Sequence, residues 1–589
     1  MRTTEDATTR RPALDRETLP APERDSWARG LADKTVEAAR RAGRMLDSLL
    51  ERPRAVLGTL IGVQIAATGI LALSIEHNGW VYFTGGDQIG LTSQAWLLGM
   101  LELPPTELGY LWSLVLTPIM WVTGPTYVQA LPAVILLNVL VLGPIALLCV
   151  YGIAARIGGR LLGYWASVLW VVAPFASIPL WVDRYQERWT EHFLPQALGL
   201  GTLSDFPSMV LVLASAYFVV RSLDPGRLAD AALAGLLLGA AAATKPPNAL
   251  LAAGAALAYL VARRWWQAVV FGAAVLPSLL VLAYWKEKGL GVIPGVSLET
   301  AALAVGAGAV AIEVSLDQYI ELDVDHWREQ MNQLREFFWS ARVAQWAPFA
   351  GLLAVFRVRR APIAALLAGW LAAFLLVKGF STRADIQANT FWRLLMPAWP
   401  AYLLLFASIP LLVPTLAGRL GDRLRPPAVR PLRLRWVAVA AVLIVLVPAA
   451  VTLAATPVDD PAHAVYQDDE GNTILTAIDR DIDVRAERVD GGVRVIWEDD
   501  EDWRANVFYR VYRHDNAEPD TLCTTAYNVS IFCYLRAVPI ATTREREYFD
   551  AAPSVDGSYW IGVGTNWVDD PEVGDVFTFG PPAAPAPVP

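Results

Sequence analysis

Residues 55–76 read AVLGTLIGVQIAATGILALSIE. The run is apolar for about 20 residues, which is the length needed to cross a hydrocarbon core about 30 Å thick. Its first charge is the terminal Glu76. The 54 residues before it are too long and too polar for a cleaved leader, so the run is expected to stay as a first membrane helix. Further runs of the same kind follow at Tyr127–Ala154, Leu161–Leu180, Leu203–Val220, Leu228–Ala243, Asn248–Ala262, Trp266–Trp285, Val343–Phe356, Ala361–Lys378, Phe391–Val413 and Trp436–Ala455. Composition agrees: 55% of the 589 residues are hydrophobic, 23 are Trp, and the mean hydropathy is +0.38. Together these features place the chain among membrane proteins of about eleven spans.

Basic residues orient the spans. With the N-terminus inside, Arg156 and Arg160, Arg221 and Arg227, Arg263 and Arg264, Arg357, Arg359 and Arg360, and the run from Arg419 to Arg435 all fall on one side. The positive-inside rule assigns that side to the cytoplasm. An odd number of spans then leaves the C-terminal segment outside. The apolar but Gly- and Ala-rich stretch 291–314 would break this parity as a span. It is read instead as an interfacial or re-entrant element.

From Pro457 onward the chemistry changes. That segment holds 26 Asp and Glu against 10 Arg and no Lys, a balance of −16. The whole chain carries −9, so the remainder carries +7. The chain is therefore divided into a cytoplasmic segment 1–54, a multispan domain 55–456, an outer domain 457–580 and a Pro/Ala-rich tail 581–589. The multispan domain includes a first outer loop 77–126 and a long outer loop 286–342. An acidic outer domain argues against nucleic acid as a partner, since phosphate backbones need a basic face. The stretches IDVRAERVDGG, VRVIWEDD, NVFYRVYRHDN, SYWIGVGTN and DVFTFGPP alternate apolar and polar residues between turns, the pattern of an all-β sandwich. They resemble the strands of a fibronectin type III domain, with Trp497 as the core tryptophan and Tyr559 in a late strand. Cys523 and Cys533 both lie in this domain, where a disulfide is chemically permitted.

Within the membrane part, charged residues sit at the outer ends of spans. YFTGGDQIGLTSQAWLLG (residues 82–99) places Asp87 in the first outer loop, after two glycines. The second outer loop carries Asp183, Arg184, Glu187, Glu191 and His192, with Asp205 at the start of the next span. Lys245 lies in the turn ATKPPN between two short apolar arms, and Arg393 opens FWRLLMPAWPAYLLL. In the long outer loop, DHWREQMNQLREFFWSARVAQW has a helical pattern and is read as a lid.

In the order and sidedness of these features, residues 50–455 resemble the GT-C glycosyltransferases. The resemblance is to the branch that includes protein mannosyltransferases and the lipid A aminoarabinose transferase. It is carried by the acid in the first outer loop, the AARIGGR turn, SDFPSMVLVLASAYFVVRSL, the hairpin around Lys245, and the late Arg–Pro–Pro span start. It implies a sugar transferred from a polyprenyl-phosphate donor to a hydroxyl of a glycan, lipid or protein, at the outer face of a bacterial plasma membrane. It also implies Asp87 as general base and Lys245 and Arg393 as donor-phosphate ligands. The charged, aromatic second outer loop, next to the first, offers Asp183, Glu187, Glu191, His192 or Asp205 as a second acid or part of an acceptor site. Many relatives carry two adjacent acids where this chain has Asp87 and Gln88, so no metal is assigned and a divalent cation stays open. A transporter or lipid flippase, and a lipid-linked glycan ligase, are the competing readings. The first would favour charges at mid-membrane and inverted repeats. Neither feature is evident in the sequence.

Overall fold

The computed structural model describes residues 34, 37, 47–48, 50–74, 86–103, 109–123, 127–177, 193–290, 301–305, 308–312, 323–337, 342–379, 390–414, 424–457, 466–467, 473–476, 482–499, 508–514, 521–526, 530–554, 557–564 and 576–579. The chain divides into two compact units, residues 1–56 and 57–589. Of the first, little more than the start of one helix is described.

The helices, in chain order, are α1 (Pro53–Ser74), α2 (Gly86–Gly99), α3 (Tyr110–Thr123), α4 (Tyr127–Leu137), α5 (Gly143–Ala176), α6 (Asp205–Ser222), α7 (Leu228–Thr244), α8 (Leu251–Ala262), α9 (Trp265–Leu290), α10 (Val324–Phe337), α11 (Arg342–Arg357), α12 (Ala361–Gly379), α13 (Thr390–Leu395), α14 (Trp399–Ser408), α15 (Leu434–Ala441) and α16 (Val447–Ala454). Each of the eleven apolar runs falls on this helical framework. Seven helical stretches among the described residues are long and apolar enough to cross a membrane. One of these, Ala130–Ala176, covers two of the runs. It is broken at Gly158 and Gly159, the latter at φ 75°, a backbone region that glycine tolerates far better than other residues. The break lies inside the AARIGGR turn. Three shorter apolar helices include Tyr110–Thr123, which lies in what the sequence suggests is only a loop. Residues 291–314, expected as an interfacial or re-entrant element, contain an antiparallel hairpin, β2 (Ala301–Val305) with β3 (Gly308–Ile312). The lid pattern does form a helix, α10, with Leu334 and Gln330 buried.

Small residues set the spacing of the bundle. A Cβ on Gly254 would lie 2.7 Å from the Leu366 carbonyl oxygen, and one on Gly351 would lie 2.0 Å from that of Leu405. Backbones this close gain contact area where apolar burial gives helices little reason to associate. At one end of the bundle the arginine clusters meet. Arg156 pairs with Asp224, Arg221 with Asp230 at 2.7 Å, and Arg227 with Asp224 at 3.3 Å. The Arg264 Nε donates to the Leu223 carbonyl, and Arg221 and Arg227 both donate to the Arg430 carbonyl. Helix α6 starts at the other end, about 27 Å away at 1.5 Å per residue.

The C-terminal region holds two sheets. One has the order β12 (Glu547–Asp550), β8 (Gly492–Asp499), β7 (Ile482–Val489). The other runs β14 (Val576–Phe579), β13 (Ser558–Gly564), β9 (Phe508–His514), β11 (Ser530–Thr543), β6 (Thr473–Thr476), β5 (Tyr466–Gln467), with β10 (Thr521–Ala526) also on β11. Val493, Val495 and Trp497 from the first sheet pack with Tyr509, Val511, Tyr559 and Ile561 from the second in one core. Trp497 meets Tyr509 edge-on, ring centres 5.4 Å apart. The alternation read in the sequence therefore gives a sandwich with Trp497 and Tyr559 buried inside it.

Candidate active site

The site is built where α6, the end of α7 and α13 converge. Asp205 occupies the first turn of α6, where the helix dipole favours a negative charge. Its side chain is only 1% exposed. A bare carboxylate so placed would cost several kcal/mol in lost hydration. Two cations answer it. The Lys245 ammonium pairs with Asp205 Oδ1, and the Arg393 Nε lies 3.2 Å from Oδ2. These partners are 40 and 188 residues from Asp205 in sequence.

Local chemistry holds each cation. Helix α7 stops at Lys245, whose backbone is extended at φ −148°, ψ 106°. Pro246 disfavours a helical conformation in the residue before it. Asn248, fully buried, donates from Nδ2 to the Ala241 carbonyl, and its N–H donates to the Lys245 carbonyl at 3.0 Å. The KPPN turn thus caps the helix it ends. Arg393 lies near the end of α13, and the Trp370 Nε1 donates to the Pro397 carbonyl of the next turn at 2.9 Å. Both cations keep some exposed surface, 19% for Lys245 and 17% for Arg393. A narrow pocket lined by Pro195, Gln196, Leu200, Leu203 and Phe206 has Asp205 in its wall.

The segment leading into Asp205, residues 199–204, is fixed by buried side chains of three other elements. Asn138 Nδ2 donates to the Gly199 carbonyl at 2.7 Å, and Trp112 Nε1 donates to the Thr202 carbonyl at 2.7 Å. Gln88 Oε1 accepts from both the N–H and the hydroxyl of Thr202, at 2.7 and 2.6 Å. Gly199 takes φ +73° with the Phe206 ring against it, a place where any side chain would be strained and blocked. Asp87 lies in the first turn of α2, one residue before Gln88. The side chain of Asp87 lies outside the described residues, but its helix is tied to the segment that presents Asp205.

Of the residues singled out in the sequence, the structure brings together Lys245, Arg393 and Asp205. Asp183, Glu187, Glu191 and His192 lie outside the described residues. The strand register places Cys523 opposite Cys533 on β10 and β11. Among the described residues, no group of three or more His, Cys, Asp or Glu could hold a metal ion. Sequence reasoning missed Gln88, read only as the absence of a second acid, and it missed Asn138 and Trp112. It also left Asp205 as one acid among several. The cost of a carboxylate at the start of an apolar helix already argued for a cationic partner.

No family model matches the sequence, and no curated protein matches it. Among solved structures, the chain is similar to the apo oligosaccharyltransferase of Archaeoglobus fulgidus, with 10% identity and a TM-score of 0.37 over 68% of this chain and 57% of that one. It is also similar to the archaeal oligosaccharyltransferase AglB of A. fulgidus in complex with an inhibitory peptide and a dolichol-phosphate, with 9% identity and a TM-score of 0.35 over 68% of this chain and 56% of that one. The chain thus spans less than two thirds of the length of both oligosaccharyltransferase structures. A third similar structure is ArnT from Cupriavidus metallidurans in the apo state, with 12% identity and a TM-score of 0.39 over 67% of this chain and 74% of that one.

Proposed function

We propose that this chain is a membrane glycosyltransferase of the GT-C class. It moves a sugar from a polyprenyl-phosphate donor to a hydroxyl of a glycan, lipid or protein at the outer face of a bacterial plasma membrane. The observation that carries the reading is the meeting of Lys245 and Arg393 at one buried point, at the end of the bundle opposite the arginine clusters. Two cations converging on one point, from elements far apart in sequence, suit an anionic headgroup whose tail lies in lipid. The arginine end then faces the cytoplasm, and the acidic sandwich lies outside as a fibronectin type III-like domain supporting the outer loops.

The reaction is a single displacement. Asp87 takes the proton of the acceptor hydroxyl as that oxygen bonds to the anomeric carbon. The bond from this carbon to the phosphate oxygen breaks, and its electron pair goes to the phosphate. Lys245 and Arg393 stabilise the negative charge as it grows. Polyprenyl phosphate leaves along the membrane.

The test is transfer of labelled sugar from synthetic polyprenyl-phosphate donors by the full chain in lipid. Asp87→Asn is expected to lower the rate by about 10²–10⁴-fold with donor binding kept. Equal rates for Asp87→Asn and the native protein would remove Asp87 from the chemistry.

A further inference from the structure

Asp205 is an unusual companion for a phosphate site, because it offers an anion a carboxylate as neighbour. Two features make it more than a stray acid. It is almost sealed from solvent, whereas both cations it binds keep an exposed edge. It is also held at the start of α6 by the segment that Gln88, Trp112 and Asn138 fix. A ligand thus meets the cations first, with the carboxylate behind them. Lys245, Arg393 and Asp205 together carry one positive charge.

We propose that Asp205 sets the charge class of the donor, matching the site to a singly charged phosphodiester and disfavouring diphosphate-linked donors. This rests on the reading of Lys245 and Arg393 as the donor-phosphate site. A polyprenyl-phosphate sugar is a phosphodiester with one negative charge, so its arrival neutralises the cluster. A diphosphate brings at least one charge more, which would remain uncompensated beside a nearly sealed carboxylate. Unpaired charge in such a place is costly, and the carboxylate behind the cations repels a second phosphate. The same logic acts on the product. Once the sugar has left, the phosphate is a monoester carrying about −1.5 to −2 at neutral pH. It exceeds the charge the site balances, and this favours its release.

The experiment compares three short-tailed probes with one citronellyl chain: the methyl phosphodiester, the monophosphate and the diphosphate. Binding is measured by calorimetry with the full chain in phosphatidylcholine nanodiscs at fixed salt. The native protein is expected to bind the diester at least about tenfold more tightly than the diphosphate, a difference of about 1.4 kcal/mol. Asp205→Asn is expected to shift that ratio at least about tenfold toward the diphosphate, and Asp205→Glu to keep the native order. A native protein that prefers the diphosphate overturns the proposal even if Asp205→Asn does not fold, as does an Asp205→Asn ratio within twofold of native. Lys245→Gln separates the two levels of inference. If it leaves diester binding intact, the phosphate site itself is misassigned. If it abolishes diester binding while Asp205→Asn leaves the ratio unchanged, the site stands and the charge-setting role falls.

Discussion

Gln88 accepts two hydrogen bonds from Thr202 with one buried oxygen. Gln88→Leu would leave a buried N–H and a hydroxyl without their acceptor, at a cost of about 1–3 kcal/mol. A lower thermal midpoint of the full chain in detergent, together with slower sugar transfer, is the expected pair of changes. Arg393→Lys tests the other wall. It keeps the charge but loses the planar guanidinium that reaches Asp205 through Nε. The expected result is weaker donor binding with a smaller effect than Arg393→Ala. At this scale the sequence was half legible. Lys245 and Arg393 stand out because a cation at the end of an apolar run needs a reason. That both reach Asp205 could not be read, because hydrophobic periodicity reports a helix's buried face and not which helix lies against it.

Helix α3 was legible as apolar but not as an element, because at 14 residues it is too short for the window that finds spans. It matters for the site. A Cβ on Gly109, just before it, would lie 2.1 Å from the Ala243 carbonyl oxygen and 2.6 Å from that of Thr244, next to Lys245. Gly109→Ala is expected to push the KPPN turn away and to raise the donor KM more than it lowers stability, which a donor titration checks. In the sandwich, Asp550 accepts from the Tyr559 hydroxyl at 2.8 Å, from the Ala552 N–H at 3.0 Å and from Arg513 at 3.0 Å. Burial alone would raise its carboxyl, but these donors outweigh burial and hold it below the ordinary carboxylate range. A lowered carboxylate contributes stability that is present above its unfolded value, about 3.9, and is lost as pH falls through the folded value. Tyr559→Phe removes one donor. Acid unfolding of β8 and β13, followed by hydrogen exchange in the full chain, is therefore expected to begin at higher pH in Tyr559→Phe. The alternating patterns located the long strands β7, β8, β9 and β13 and the short β14, because period two is a local property. The cross-sheet network of Asp550, Arg513 and Tyr559 is not local and left no trace in the alternation.

For the whole molecule, the charge split between 1–456 and 457–589 was the most informative property of the sequence. It falls where the apolar helices give way to strands. The proposed sidedness of the bundle rests on arginines that meet one another at one end. Single cysteines placed beside Arg263 and beside Arg546 are expected to react with an impermeant maleimide from opposite faces of sealed vesicles, and labelling from the same face would reverse the proposed topology. The register of β10 and β11 also sets Cys523 against Cys533. A disulfide there would protect both from maleimide until reductant is added.

Strand β1 (Glu102–Leu103), beside α2, pairs in parallel with β4 (Thr456–Pro457), just beyond the last apolar helix, and the Thr456 N–H donates to the Leu101 carbonyl at 2.8 Å. Leu103 and Ala455 are both buried there in a cluster with Tyr110 and Trp285. This pairing has a consequence in time. The ribosome makes the two strands more than 350 residues apart. At about 5–20 residues per second, α2 waits on the order of half a minute for its neighbour. A nascent chain stalled after residue 414 would contain Asp87, Lys245, Arg393 and Asp205, yet lack the strand that pairs with β1. The edge that β1 offers would thus stay unpaired until more than three quarters of the chain had been made.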